Sequence, residues 1–128
     1  MKKLSLLFAF VAVAIASQAG GNNDEESKIT YPMPQKVKAV MESKCFECHN
    51  DAGRSDKAKK GLNFSTLDGF TNIEKIATLS EVKKEVSEGE MPPQKFLEKH
   101  PEAALTPDET KLLVDWVQKE SKALLKKK

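Results

Sequence analysis

Two cysteines stand three positions apart and are followed at once by a histidine, in Cys45-Phe46-Glu47-Cys48-His49. They are the only cysteines in the chain. A disulfide between them would close a very small loop and restrain little of the unfolded chain, so stapling is a poor use for the pair. Zinc would want four ligands, and only Cys45, Cys48, His49 and the distant His100 are available. A redox dithiol is expected where a strand turns into a helix, whereas the residues before Cys45 have helical spacing and no strand pattern. Covalent attachment of haem c fits both the spacing and the histidine. Thiols at i and i+3 can add to the two vinyl groups on one porphyrin edge, and His49 then offers an imidazole nitrogen to the iron.

An iron held by one imidazole has a second axial position, and three readings of it stay open. Met91 lies in Gly89-Glu90-Met91-Pro92-Pro93, 42 residues beyond His49, which is enough chain to pass round a ring to its other face. The two prolines stiffen that turn, and a neutral sulfur ligand favours ferrous iron and raises the reduction potential. His100, between Lys99 and Pro101, is the competitor, although a histidine in so charged a stretch is ordinarily a solvated or capping one. A water-bound or open position is the third. Met33 and Met41 precede the attachment site, and Met41 falls on the apolar face of its helix.

These residues must be positioned by helices. Pro34 suits a first helical turn, and Val37, Val40, Met41 and Lys44 follow at helical spacing into Cys45. Asn50 to Gly61 is charged and reads as a surface loop. Leu62, Phe64 and Leu67 form a short apolar patch to set against one side of the ring. Ile73, Ile76, Ala77, Leu79, Val82 and Val86 predict one helix or two short ones, ended by Gly89 in a left-handed conformation. Thr106, Pro107 and Glu109 predict a capping box opening a last helix, whose buried face carries Leu112, Leu113, Trp116, Val117 and Leu124. Lys126, Lys127 and Lys128 complement the negative end of its dipole. The fold class is all-α.

The chain has 128 residues, enough for one domain and not two. Lys2 and Lys3 precede a 13-residue, almost wholly apolar run from Leu4 to Ala16, short for a membrane span. Ser17-Gln18-Ala19 fits a signal peptidase site, with a cut after Ala16 as the alternative. The expected organisation is a signal peptide at 1–19, a disordered polar tail at 20–33, a haem domain at 34–125 and a basic tail at 126–128. Export to the periplasm agrees with haem c, which is attached outside the cytoplasm, and leaves membrane contact to the signal peptide alone. Without Lys2 and Lys3 the basic residues only equal the 19 acidic ones, which gives no footing for nucleic acid binding. With the signal removed, roughly a third of the residues are apolar, a thin supply for a core. A porphyrin set among Phe46, Phe64, Leu67, Val82, Phe96 and Trp116 would supply the missing area, and the chain is then expected to depend on it for compaction.

A haem attachment site, a Met-Pro turn and a capped last helix bearing a tryptophan resemble a small class I-type cytochrome c. More narrowly, Cys45 to His49, Leu62-Asn63-Phe64-Ser65, Glu90-Met91-Pro92-Pro93, His100-Pro101-Glu102-Ala103 and Leu105 to Trp116 resemble the haem-binding domain family of exported bacterial proteins. The resemblance covers roughly residues 36 to 120. It implies a small cytochrome c-like fold wrapped around one covalently bound haem, with Cys45 and Cys48 as thioether donors, His49 as proximal ligand and Met91 as distal ligand. It departs at Asn50 to Lys60, where an aromatic, proline-containing segment is usual, so no carbonyl is indicated for the other ring nitrogen of His49. The function expected is one-electron transfer by a monomer to redox partner proteins, not enzyme catalysis. A small-ligand-binding or sensing module and a haem peroxidase are the alternatives.

Overall fold

A computed structural model describes residues 28–127; the expected signal peptide, the first part of the polar tail and Lys128 lie outside the described residues. The fold is all-α, with no strand among the described residues. Its helices are α1 (Gln35–Lys44), α2 (Asp56–Gly61), α3 (Asn72–Glu88), α4 (Gln94–Leu97) and α5 (Pro107–Lys126), with 3-10 turns at Leu67–Gly69 and Pro101–Ala103. No described helix is long and apolar enough to cross a membrane.

Two long helices form the frame, and local chemistry bounds each of them. The Thr71 N–H donates to Glu74 Oε2 at 2.8 Å, while the Glu74 N–H donates to Thr71 Oγ1 at 3.3 Å. That reciprocal pair satisfies two backbone donors otherwise left open at the start of α3. Gly89 ends α3 at φ 72°, as expected, and the Glu90 and Gly89 N–H groups close back on Glu85 O and Val86 O. The expected capping box opens α5, with the Thr106 N–H to Glu109 Oε2 at 2.8 Å and the Glu109 N–H to Thr106 Oγ1 at 3.2 Å, and Pro107 follows the cap. At 20 residues α5 is about 30 Å long. The most extensive helix pairing is α3 with α5, and α1 packs on α5 as well. Asn72 Nδ2 donates to Leu124 O and Lys127 O, so the start of α3 meets the end of α5 and the two run antiparallel.

The core is one cluster built from the N-terminal residues Ile29 and Tyr31, α1, the connection between α2 and α3, α3 and α5. Val37, Val40 and Met41 of α1 meet Leu79 and Val86 of α3, Leu113, Trp116, Val117 and Leu124 of α5, and Leu62, Phe64 and Leu67 of the connection between α2 and α3. Met41 is thus a packing residue.

Several expectations are corrected. Residues 28–33 are not a solvated tail. Ile29 is 0% exposed and Tyr31 3%, Tyr31 stands edge-on to Trp116 with ring centroids 6.5 Å apart, and its hydroxyl donates to Glu120 Oε1 at 2.7 Å. Lys75 Nζ covers the Tyr31 ring at 5.7 Å from its centroid, and the Ile29 N–H donates to Glu42 Oε1. Two apolar side chains in a polar stretch suffice to strap it across α1 and α5. Of the side chains expected around a porphyrin, Phe64, Leu67 and Trp116 belong to the buried cluster, Phe46 and Val82 pack partly buried against it, and Phe96 stacks on His100. Pro34 is the residue before α1, not within its first turn. Ile73 is 80% exposed and Ala77 also faces solvent, so neither belongs to the buried stripe of α3. The surface loop at 50–61 contains α2, capped by Ser55.

Candidate functional site

The Cys45 and Phe46 N–H groups both donate to Met41 O at 2.9 Å, which carries the chain from α1 directly into the cysteine pair. The Cys48 N–H then donates to Cys45 O at 3.2 Å and the His49 N–H to the same oxygen at 3.1 Å. Residues 45–49 therefore form one further helical turn, and positions three and four apart share a face of such a turn. Cys45, Cys48 and His49 thus share one turn of backbone. Cys45 and Cys48 are unbridged and half-buried. Burial pushes the Cys45 thiol up to about 12, the neighbouring Cys48 adds to the shift, and Lys44 opposes it. At neutral pH Cys45 is a protonated thiol, which is poor equipment for disulfide exchange. No group of three or more His, Cys, Asp or Glu converges as a metal site among the described residues.

His49 is held by backbone. Its Nδ1 lies 2.9 Å from Leu62 O and 3.0 Å from Ala58 O. Carbonyl oxygens only accept, so Nδ1 carries a proton shared between them, and in the neutral ring Nε2 is the nitrogen with the lone pair. Here is the partner that the sequence does not indicate: the C-terminal turn of α2 and the residue after it. Ala58 O also accepts the Leu62 N–H at 3.0 Å, so one oxygen both closes α2 and orients the imidazole. The Phe64 N–H donates to His49 O at 2.9 Å, which sets Phe64 against the turn, stacked on Phe46 at 6.3 Å.

Two residues that sequence reasoning passes over shape the exit from the turn. Asn50 is buried; its Nδ2 donates to Phe46 O and its Oδ1 accepts the Ala52 N–H at 2.8 Å. Gly53 lies against the Cys48 carbonyl so closely that a Cβ on it would overlap that carbonyl. The hint available in the sequence is the composition of Asn50-Asp51-Ala52-Gly53, a turn-forming run directly after the histidine.

Met91 is half-buried between α3 and α4 and is not among the side chains packed on the core cluster. His100 is turned to other work. Its ring stacks on Phe96 at 4.5 Å, its Nδ1 lies 3.3 Å from Glu102 Oε1, and half of its side chain is exposed. Glu102 is held below the usual carboxylate range by its own backbone N–H first, and to a smaller degree by His100 and Lys44.

A family model described as a haem-binding domain matches residues 53–119, just over half of the chain. The match starts at Gly53, four residues beyond His49, and takes in Leu62 to Ser65, Met91 and α5 as far as Lys119. No curated protein and no solved structure matches the chain.

Proposed function

Because the chain belongs to the haem-binding domain family, we propose that it is an exported mono-haem c-type cytochrome carrying single electrons, anchored through Cys45 and Cys48 and ligated axially by His49 and Met91. The observation that carries this reading is the state of His49. Two carbonyls accept from the Nδ1–H, so in the neutral ring Nε2 is the nitrogen able to bind a metal, on the same turn as two unbridged thiols. The donor set fits a covalently held haem better than any other group weighed for it. When bound, haem supplies one iron that cycles between ferrous and ferric states.

The residues of the chain do the rest. Cys45 and Cys48, on the turn that follows α1, would hold the haem covalently through their two sulfurs. His49 keeps one tautomer, because both acceptors at Nδ1 belong to the backbone and neither can be protonated. Met91 supplies a soft neutral ligand from a loop stiffened by Pro92 and Pro93. Phe46 and Phe64, stacked beside the turn, would keep water from the haem next to His49. Lys2, Lys3 and the apolar run from Leu4 to Ala16 support export to the periplasm, with cleavage after Ala19. The protein would act as a monomer, and near-neutral charge after cleavage gives its encounters with redox partner proteins only moderate salt dependence.

The test is protein matured in a host that assembles cytochromes. Intact mass should include one haem, and oxidised protein should show the weak near-infrared sulfur-to-iron band. Met91→Ala should abolish that band and His100→Gln should leave it. A bare polypeptide mass would end the proposal. A high-spin wild-type spectrum with rapid carbon monoxide binding would favour a small-ligand-binding module instead, a reading for which Met91's position outside the core packing is the supporting observation.

A further inference from the structure

We infer that Lys44 is a positioning residue that latches the Met91-bearing segment, residues 91–104, onto the attachment turn. The Lys44 ammonium donates to Glu102 O at 2.7 Å and to Ala104 O at 3.0 Å, across 58 and 60 residues of sequence. Among the described residues these are the only hydrogen bonds that join residues 91–104 to the rest of the chain. Every other hydrogen bond of that segment is internal: α4 closes on Pro93 and Gln94, the His100 N–H on Phe96 O, and the Ala103 and Ala104 N–H groups on His100 O and Pro101 O. The segment is a small body of its own, with α4 packed on the Pro101–Ala103 turn.

Lys44 is also the residue directly before Cys45, on the last turn of α1. One side chain therefore ties the end of the Met91 loop to the end of the helix that carries the first cysteine. Two carbonyls at right spacing suit an ammonium, which has three donors and no acceptor. An arginine could reach the same pair with its fork, whereas a methionine of similar length offers no donor. The role assigned to Lys44 rests on the proposed Met91 ligation only for its consequence at the iron, since the tie itself is a property of the chain.

The experiment uses the haem-loaded protein with Lys44→Met and Lys44→Arg, Lys44→Leu, which also lacks a donor, standing in for the former if it does not mature. Hydrogen exchange is followed by mass spectrometry, and ferric protein is titrated with imidazole. Loss of a charge-assisted hydrogen-bond pair at a partly exposed site should speed exchange of amides in 91–104 by about 10-fold. Exchange at Leu79 and Val117, in α3 and α5, should be unchanged. Imidazole affinity should rise by a similar factor, about 10-fold, and Lys44→Arg should restore both quantities to within about 2-fold of wild type. Unchanged exchange in 91–104 overturns the latch, as does acceleration spread evenly over the whole protein. Failure of the Met91 reading looks different: wild type then lacks the sulfur-to-iron band, while exchange in 91–104 still responds to Lys44→Met.

Discussion

Replacing Tyr31 by Phe removes one hydroxyl and nothing else from the N-terminal strap. The ring keeps its edge contact with Trp116 and its place under Lys75, so the change isolates the 2.7 Å hydrogen bond to Glu120. A hydrogen bond to a charged group contributes about 1.5–3 kcal/mol. Glu120 is only half-buried, and water recovers part of its solvation when the hydroxyl is gone, which brings the expected loss to about 1 kcal/mol. In a domain of this size that is a fall of about 4–8 °C in Tm. The effect has a pH signature. Burial, reinforced by Glu120, raises the Tyr31 phenol well above its ordinary value of 10.0. A raised folded-state pKa means stability that is fully present below the unfolded pKa and is lost as pH climbs through about 10 toward the folded value. Wild type should lose its advantage over Tyr31→Phe across that alkaline window, read by urea titration of haem-loaded protein at several pH values. Equal stability of the two proteins at pH 7 would refute the Tyr31–Glu120 bond as a tie between the strap and α5.

Ile29→Ala tests the same strap by cavity formation: an isoleucine with no exposure should cost about 2–5 kcal/mol, whereas in a solvated tail it would cost nothing measurable in a melt. Gly53→Ala should displace the Cys48 carbonyl, destabilising the protein by about 1–3 kcal/mol and lowering the ratio of haem to polypeptide recovered from cells. Asn72→Ala uncaps the end of α5 and should lower Tm by a few degrees, about 1 kcal/mol, with the haem spectrum untouched.

What the sequence makes legible is what side chains enforce locally. The cysteine spacing and the capping residues of α5 act within a few positions, so Cys45, Cys48, His49, Thr106 and Glu109 are readable without knowledge of the fold. The partners of His49 are not, because Ala58 and Leu62 act through carbonyl oxygens that every residue owns. α2 had a signal in Ser55 and its lysine-rich helix formers, outweighed by charge and two glycines. Apolar character alone does not place Ile73: at about 100° per residue it lies about 120° round α3 from Leu79, off the stripe made by Ile76, Leu79, Val82 and Val86. Ile29 and Tyr31 were hidden for a different reason. Their partners lie on α1 and, 89 positions away, at Glu120, and no local pattern reports a contact of that range.

Ala58 O has two clients, the closing amide of a six-residue helix and the imidazole of His49. Fraying of that short coil would therefore slacken the ring's bearing, letting the plane of the imidazole swivel while its bond to Leu62 O persists as a pivot. Small disturbances on an outlying, lysine-rich surface turn thus reach the His49 ring through a single shared atom.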